Sequence, residues 1–197
     1  MRLQLVRHGR TPANVKMLLD TAAPGSDLDE VGHAQARALV GRLHGQGIDA
    51  IYVSELTRTH QTAAPLAAER GLTPLVLPGL NEILAGEYEM SDDPTGYVGT
   101  LMGWEHTPEA RIGGAENAHE FLARYDDAIA SLAAAGHRSP VAISHGAAMR
   151  TWAAYRVSGF LAAVNDFGMP NTGIIQIEGT PGTGWTLIAL DAPSDAS

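Results

Sequence analysis

The chain has 197 residues, 45% of them apolar and 18% charged, with a net charge of −9 and no cysteine. This is the profile of one globular domain with room for a full core. It excludes disulfides, thiolate metal sites and a cysteine nucleophile. The acid excess argues against extended nucleic-acid binding and against anionic membranes, and no apolar run approaches the ~20 residues that span a bilayer. The N-terminus enters Arg2-Leu3-Gln4-Leu5-Val6 directly, too short and polar-flanked for a signal peptide. The expected compartment is the cytoplasm. Lys16 is the only lysine, so positive charge is almost all arginine, whose planar fork matches phosphate oxygens.

Leu3 to Arg7 predicts a short buried strand ending at His8-Gly9, with Arg10, Thr11 and Asn14 just beyond. Residues 10–28 read as irregular, broken by Pro12, Pro24 and Gly25. Asp29 is placed to cap a helix carrying Ala36, Leu39, Val40 and Leu43, which ends near Gly45 and Gly47. Ile48 to Val53 predicts a second strand, Ser54-Glu55-Leu56 the turn into a helix that holds Arg58, and Thr73 to Leu77 a third strand. Residues 86–114, rich in Gly and Pro with Tyr88, Tyr97, Leu101, Met102 and Trp104 between, read as an inserted lid. A long helix spans about Asn117 to Ala135. Val141 to Ser144 is another short strand, and His145-Gly146 opens the next helix, from Ala147 to about Val157. Gly173–Ile177 and Trp185–Leu190 close the sheet. Residues 193–197 read as a disordered tail, leaving 1–192 as one domain without repeats.

Short apolar strands alternating with helices predict an α/β three-layer sandwich, a mostly parallel sheet with helices on both faces. Ligand sites in such sheets lie at the carboxyl ends of the strands. His8, Ser54 and His145 each follow a predicted strand directly. An unprotonated imidazole at His8 can attack phosphorus and split one displacement into two easier ones. Arg7 and Arg58 are candidate clamps for the charge that develops on the non-bridging oxygens. His145 repeats the strand-histidine-glycine pattern and could donate to the same group, with free N–H groups of the helix start beside it. Glu82 can protonate a leaving alkoxide and then activate water, with Glu87 and Glu89 as alternatives. Taken singly, each histidine could be a loop histidine, Arg58 an exposed partner of Glu55, and each carboxylate a solvated one. His8, His145 and Glu82 could also be imagined as a two-histidine, one-carboxylate metal site, but Arg7 and Arg58 beside a cation would repel it.

Together these residues resemble the histidine phosphatase superfamily, which includes cofactor-dependent phosphoglycerate mutases and many small-molecule phosphatases. Leu5-Val6-Arg7-His8-Gly9 resembles the signature, Ser54 to Ala63 the second arginine motif, Leu80-Asn81-Glu82-Ile83 the acidic motif and Ser144-His145-Gly146 the second histidine motif. The resemblance implies His8 as the phosphorylated nucleophile and Glu82 as proton donor. It implies Arg7, Arg58 and His145 as the phosphate pocket, assisted by Asn14, Gly146 and the backbone at Ala147. It implies no metal or organic cofactor. Three positions depart from the family pattern: Arg10 replaces a frequent Glu or Gln, residues 20–27 lack the usual Gln-Gly segment, and Met90 replaces a common glycine.

The mutases add a paired arginine and a lysine in the insertion, whereas residues 83–115 here contain only Arg111 and no lysine. The expectation is therefore a phosphomonoester hydrolase acting on a small phosphorylated metabolite, with an apolar lid suited to a less charged leaving group. Mutase activity and a non-catalytic phosphate sensor on the same fold are the alternatives. An exposed sheet edge could support a homodimer.

Overall fold

The computed structural model describes residues 1–164 and 169–193. The predicted tail, beyond its first residue, lies outside them. Seven strands form one sheet in the order β3-β2-β4-β1-β6-β7-β5. The strands are β1 (Arg2–Arg7), β2 (Ala50–Val53), β3 (Leu75–Val76), β4 (Pro140–Ser144), β5 (Val157–Ser158), β6 (Ile174–Thr180) and β7 (Gly184–Asp191). β3, β2, β4 and β1 run parallel, and β6 is antiparallel to both its neighbours.

Alternation along β1 divides the core. Leu3 and Leu5 face one side, packing in one cluster with Phe121, Tyr125 and Trp152 of helices α5 (Ala118–Ala134) and α6 (Gly146–Arg156). Val6 faces the other, with Leu39 and Leu66 of α2 (Glu30–Arg42) and α3 (Thr57–Arg70). Burial on both faces explains the unbroken apolar runs of β2 and β4. The predicted three-layer α/β architecture is the one observed.

Caps set the helix starts. The Asp29 carboxylate accepts from Gly32 N at 2.7 Å, and Asn117 and Glu120 form a reciprocal capping box on α5, each cap contributing about 1 kcal/mol. The start of α2 also presses against the turn after β1. A Cβ on Gly9 would lie 2.7 Å from the Gly32 carbonyl oxygen, and one on Gly32 would lie 2.1 Å from that of Arg10. Both positions need glycine because two backbones meet there.

Several expectations are corrected. Residues 10–28 are not wholly irregular: Thr11 caps a one-turn helix, α1 (Pro12–Val15), with Asn14 returning the bond. α2 stops at Arg42, before the glycines. The third strand shrinks to Leu75–Val76, both exposed at the sheet edge, so Glu82 follows a single 3-10 turn, Pro78–Leu80, rather than a strand. The segment 86–114 contains a helix, α4 (Thr95–Gly103), and three of its apolar residues belong to the core: Tyr97, Leu101 and Trp104 are buried with Phe121. Trp104 stacks on Phe121 at 5.9 Å between ring centres, and the Tyr97 hydroxyl donates to the Ile83 carbonyl at 2.9 Å. Those two rings are anchored in the core. Met102 stays exposed.

Candidate active site

β1 and β4 are hydrogen-bonded neighbours with Arg7 opposite Ser144. The residues that follow them, His8 and His145, therefore emerge side by side, with ring centres 5.2 Å apart. β2 lies on the other side of β4 and delivers Ser54, after which α3 brings Arg58 to the same strand ends. Both histidines and Arg58 are almost completely buried.

The two imidazoles are held by opposite nitrogens. His8 Nδ1 lies 2.7 Å from the Gly9 carbonyl oxygen. A carbonyl only accepts, so the neutral ring carries its proton on Nδ1 and its lone pair on Nε2. His145 uses Nε2, 2.8 Å from Ser54 Oγ, and its Nδ1 is buried without a protein partner. Burial first, then the Arg58 and Arg7 charges, hold His8 well below the ordinary imidazole range. Burial followed by Arg58, His8, Arg7 and Arg124 does the same for His145. Both rings are neutral near pH 7.

Arg7 donates through Nη1 to the Met169 carbonyl while its buried Nε has no partner. Arg58 donates through Nη2 to the Asp20 carbonyl at 2.8 Å, and its Nη1 lies 3.5 Å from the Asp20 carboxylate. Its Nε and Nη1 make no hydrogen bond. Burial lowers the pKa of both guanidiniums, opposed by Glu82 at Arg7 and by Asp20, Glu82 and Glu89 at Arg58. Arg58 pairs with Asp20 rather than Glu55. Gly25 sits against this pair with a left-handed backbone, φ +69°, and a Cβ there would lie 2.3 Å from Arg58 Nη1. Only glycine lets the loop close over the guanidinium.

Glu82 reaches the start of α6. Its carboxylate accepts from Ala147 N at 3.1 Å, Ala148 N at 2.7 Å and Ile83 N at 2.9 Å. Negative charge is favoured at that helix end. The side chain of Gly146 is absent where Arg7 passes: a Cβ would lie 3.2 Å from Arg7 Nε. Asn14 Oδ1 accepts from Thr11 N at 3.1 Å and from Asn171 Nδ2 at 3.0 Å, and the same Asn171 amide donates to the His8 carbonyl at 3.1 Å.

His8, His145, Arg7 and Arg58 thus come to the same strand ends, Glu82 meets Ala147 at the start of α6, and Asn14 is tied to the His8 carbonyl through Asn171; other residues join them. Asp20, Ser54, Thr62 and Asn171 hold the site side chains or backbone, with Gly9 N donating to Thr62 Oγ1 at 2.9 Å. Asp20 lies in the loop without a family pattern, so spacing gave no signal. Ser54 was legible only as a strand-end residue. Glu89 binds Thr21, accepting from its N–H at 2.8 Å and from its hydroxyl, and from Ala22 N at 3.1 Å, which ties the loop to the acidic segment. Glu87 is exposed. Arg10 is tied to Asp29 at 2.8 Å and does not join the pocket. Met90 adopts φ 62°, the left-handed conformation that explains a glycine at this position in the family. No group of three or more His, Asp or Glu side chains among the described residues is arranged to hold a metal, and no helix among them is long and apolar enough to cross a membrane.

Comparison with known proteins supplies the context. Over 215 aligned residues, PE-PGRS family protein PE_PGRS11 of Mycobacterium tuberculosis is 36% identical, covering 96% of this chain and 36% of that protein. The adenosylcobalamin/alpha-ribazole phosphatase of Escherichia coli K12 is 36% identical over 113 residues, 54% of this chain and 55% of the relative. The matches thus span about a third to a half of these curated relatives. A solved mycobacterial glucosyl-3-phosphoglycerate phosphatase superposes with a TM-score of 0.80 at 25% identity, over 98% of this chain and 99% of that one. Residues 3–192 match the histidine phosphatase superfamily, branch 1, and the chain belongs to that family.

Proposed function

We propose that this protein is a phosphomonoester hydrolase that acts on a small phosphorylated metabolite through a phosphohistidine at His8. One observation carries the reading. Buried nitrogens of Arg7 and Arg58 and the Nδ1 of His145, none with a hydrogen-bond partner in the protein, lie near a histidine whose free nitrogen bears a lone pair. Unpaired buried donors cost about 1–3 kcal/mol each, and a phosphoryl group with its oxygens among them satisfies all of them.

In the proposed reaction His8 Nε2 attacks phosphorus and the ester P–O bond breaks. The leaving oxygen takes a proton from the Glu82 carboxyl, leaving Glu82 ionised and the phosphoryl group on His8. Glu82 then takes a proton from water as its oxygen attacks phosphorus, the N–P bond breaks, and phosphate departs. Arg7, Arg58, His145 and Asn14 hold the non-bridging oxygens with the N–H groups of Gly146 and Ala147. The Ala147 N–H serves Glu82 in this structure, so an incoming phosphoryl oxygen competes with the carboxylate for it and turns the carboxyl toward the leaving group.

The substrate class follows the relatives, which are named as phosphatases of alpha-ribazole and of glucosyl-3-phosphoglycerate. Against mutase action stands the shortage of cations: Arg111, alone in the insertion, is paired with Glu120. We further place the activity in one domain of residues 1–192, with the exposed part of 86–114 as its lid. The protein is assigned to the cytoplasm, as a homodimer through the β3 edge, where Leu75 and Val76 are exposed.

A screen of phosphorylated metabolites with His8→Ala as the inactive control tests the reading, run beside a bisphosphoglycerate-stimulated mutase assay. Hydrolysis by the wild type alone is expected. Binding without turnover across the panel would favour a sensor, and stimulated isomer exchange a mutase.

A further inference from the structure

We infer that Ser54 is a positioning residue: its hydroxyl donates to His145 Nε2, so that the neutral His145 ring presents an Nδ1–H to a phosphoryl oxygen. The choice between the two possible proton arrangements rests on the phosphoryl pocket of the proposed function; the distances among the side chains do not.

Ser54, Thr59 and His145 are all fully buried, so their protons must be shared among themselves and the backbone. Ser54 Oγ has three neighbours: His145 Nε2 at 2.8 Å, Thr59 Oγ1 at 3.1 Å and Leu56 N at 3.2 Å. Leu56 N–H can only donate and fills one lone pair. The single hydroxyl proton of Ser54 then goes either to His145 or to Thr59. If it goes to Thr59, the proton of Thr59 goes to the Leu56 carbonyl at 2.8 Å, and His145 must donate from Nε2. The neutral ring would then show a bare lone pair at Nδ1.

That second wiring fails at the pocket. The other nitrogens there that make no hydrogen bond, Arg7 Nε and Arg58 Nε and Nη1, are all donors, and an anionic oxygen among them would meet a lone pair on His145. Protonating both nitrogens instead would place a further cation in a dry interior that already holds Arg58, Arg7 and Arg124 near the ring. A neutral ring with hydrogen on Nδ1 meets both demands, and Nε2 must then accept. Ser54 is the hydroxyl in reach. Thr59 keeps its own bond to the Leu56 carbonyl or donates to Ser54 Oγ.

The test reads the tautomer directly, by long-range ¹H–¹⁵N correlation of the histidine rings in the full chain, free and with vanadate as phosphoryl mimic. His145→Gln identifies the signal among the eight histidines. The wild type should carry hydrogen on Nδ1 only, in both states. Thr59→Val should keep that tautomer and activity close to wild type, because Thr59 is not the recipient of the Ser54 proton. Ser54→Ala should shift the ring toward Nε2–H and lower kcat/KM for an aryl phosphate by roughly ten- to a hundredfold, with thermal melting confirming that it folds. If it does not fold, the wild-type and Thr59→Val spectra decide alone. Hydrogen on Nε2 or on both nitrogens in the vanadate-bound wild type would overturn the assignment, as would a folded Ser54→Ala that keeps hydrogen on Nδ1 and full activity. Hydrogen on Nδ1 in a protein that hydrolyses no ester would instead sink the phosphatase reading and leave the Ser54 wiring intact.

Discussion

The corner after β1 and the corner after β4 look like copies in sequence, each a strand, a histidine and a glycine, yet they are wired in opposite senses. At the first, the carbonyl of the next residue takes the Nδ1 proton and leaves Nε2 as a lone pair. At the second, a side chain from a third strand end holds Nε2 and leaves Nδ1 without a hydrogen-bond partner in the protein. The glycines differ as well: Gly9 admits the backbone of α2, whereas Gly146 admits the side chain of Arg7. One motif thus yields a candidate nucleophile where the partner is a fixed acceptor, and a candidate donor where the partner can itself give a proton.

The sharpest way to break that comparison is to remove each ring in turn. His8→Ala should cost about four orders of magnitude or more in kcat, the scale seen when a nucleophile is deleted. His145→Ala should cost about 10²–10³ and still form the covalent intermediate, as a donor rather than an attacking group. Steady-state and single-turnover kinetics separate the two; equal losses with no intermediate in either would erase the distinction.

Glu82→Gln tests what completes the step at the first corner. Turnover of alkyl phosphates should fall by about 10²–10⁴ while aryl phosphates, whose leaving groups need little protonation, lose far less. Similar losses for both would move the acid elsewhere.

A smaller effect follows from burying two neutral imidazoles. The folded-state pKa of each is depressed well below its ordinary 6.5, so below pH 6.5 the unfolded chain binds protons that the native chain does not. Their contribution is complete above pH 6.5 and is lost as pH falls, by about 1.4 kcal/mol per pH unit for each histidine. Urea midpoints measured from pH 7.5 to 5 should therefore drop, and His145→Gln should flatten the slope. A flat profile in the wild type would show that the rings take up protons in the native chain as they do in the unfolded one.

The smallest change concerns segment 86–114. Tyr97→Phe removes the bond to Ile83 and should cost about 1 kcal/mol of stability with no change in leaving-group preference. An altered preference would return Tyr97 to the ligand.

The parts that the sequence made legible share one physical origin. β1, β2 and β4 are buried on both faces, so they appear as apolar runs, and the residues that interrupt those runs mark the edge where the candidate site lies: His8, Ser54 and His145. Arg58 was legible because α3 starts there. The remainder depends on contacts between distant loops. Asp20 meets Arg58 through a loop held by Thr21 and Glu89, and no local period announces such a pairing. Tyr97 and Trp104 stand among glycines and prolines that suggest a surface insertion, yet tertiary packing on Phe121 overrides that local composition. The third strand was overestimated because Leu75 and Val76 favour a strand while only two residues pair with β2.

The most direct test of the central claim, a phosphoryl group carried on His8, is to quench the protein in alkali while it is mixed with a ³²P-labelled phosphomonoester and map the label. An acid-labile, alkali-stable label on the peptide that contains His8, absent from His8→Ala, is the predicted result. Full turnover with an unlabelled protein, or with label on another residue, would contradict it.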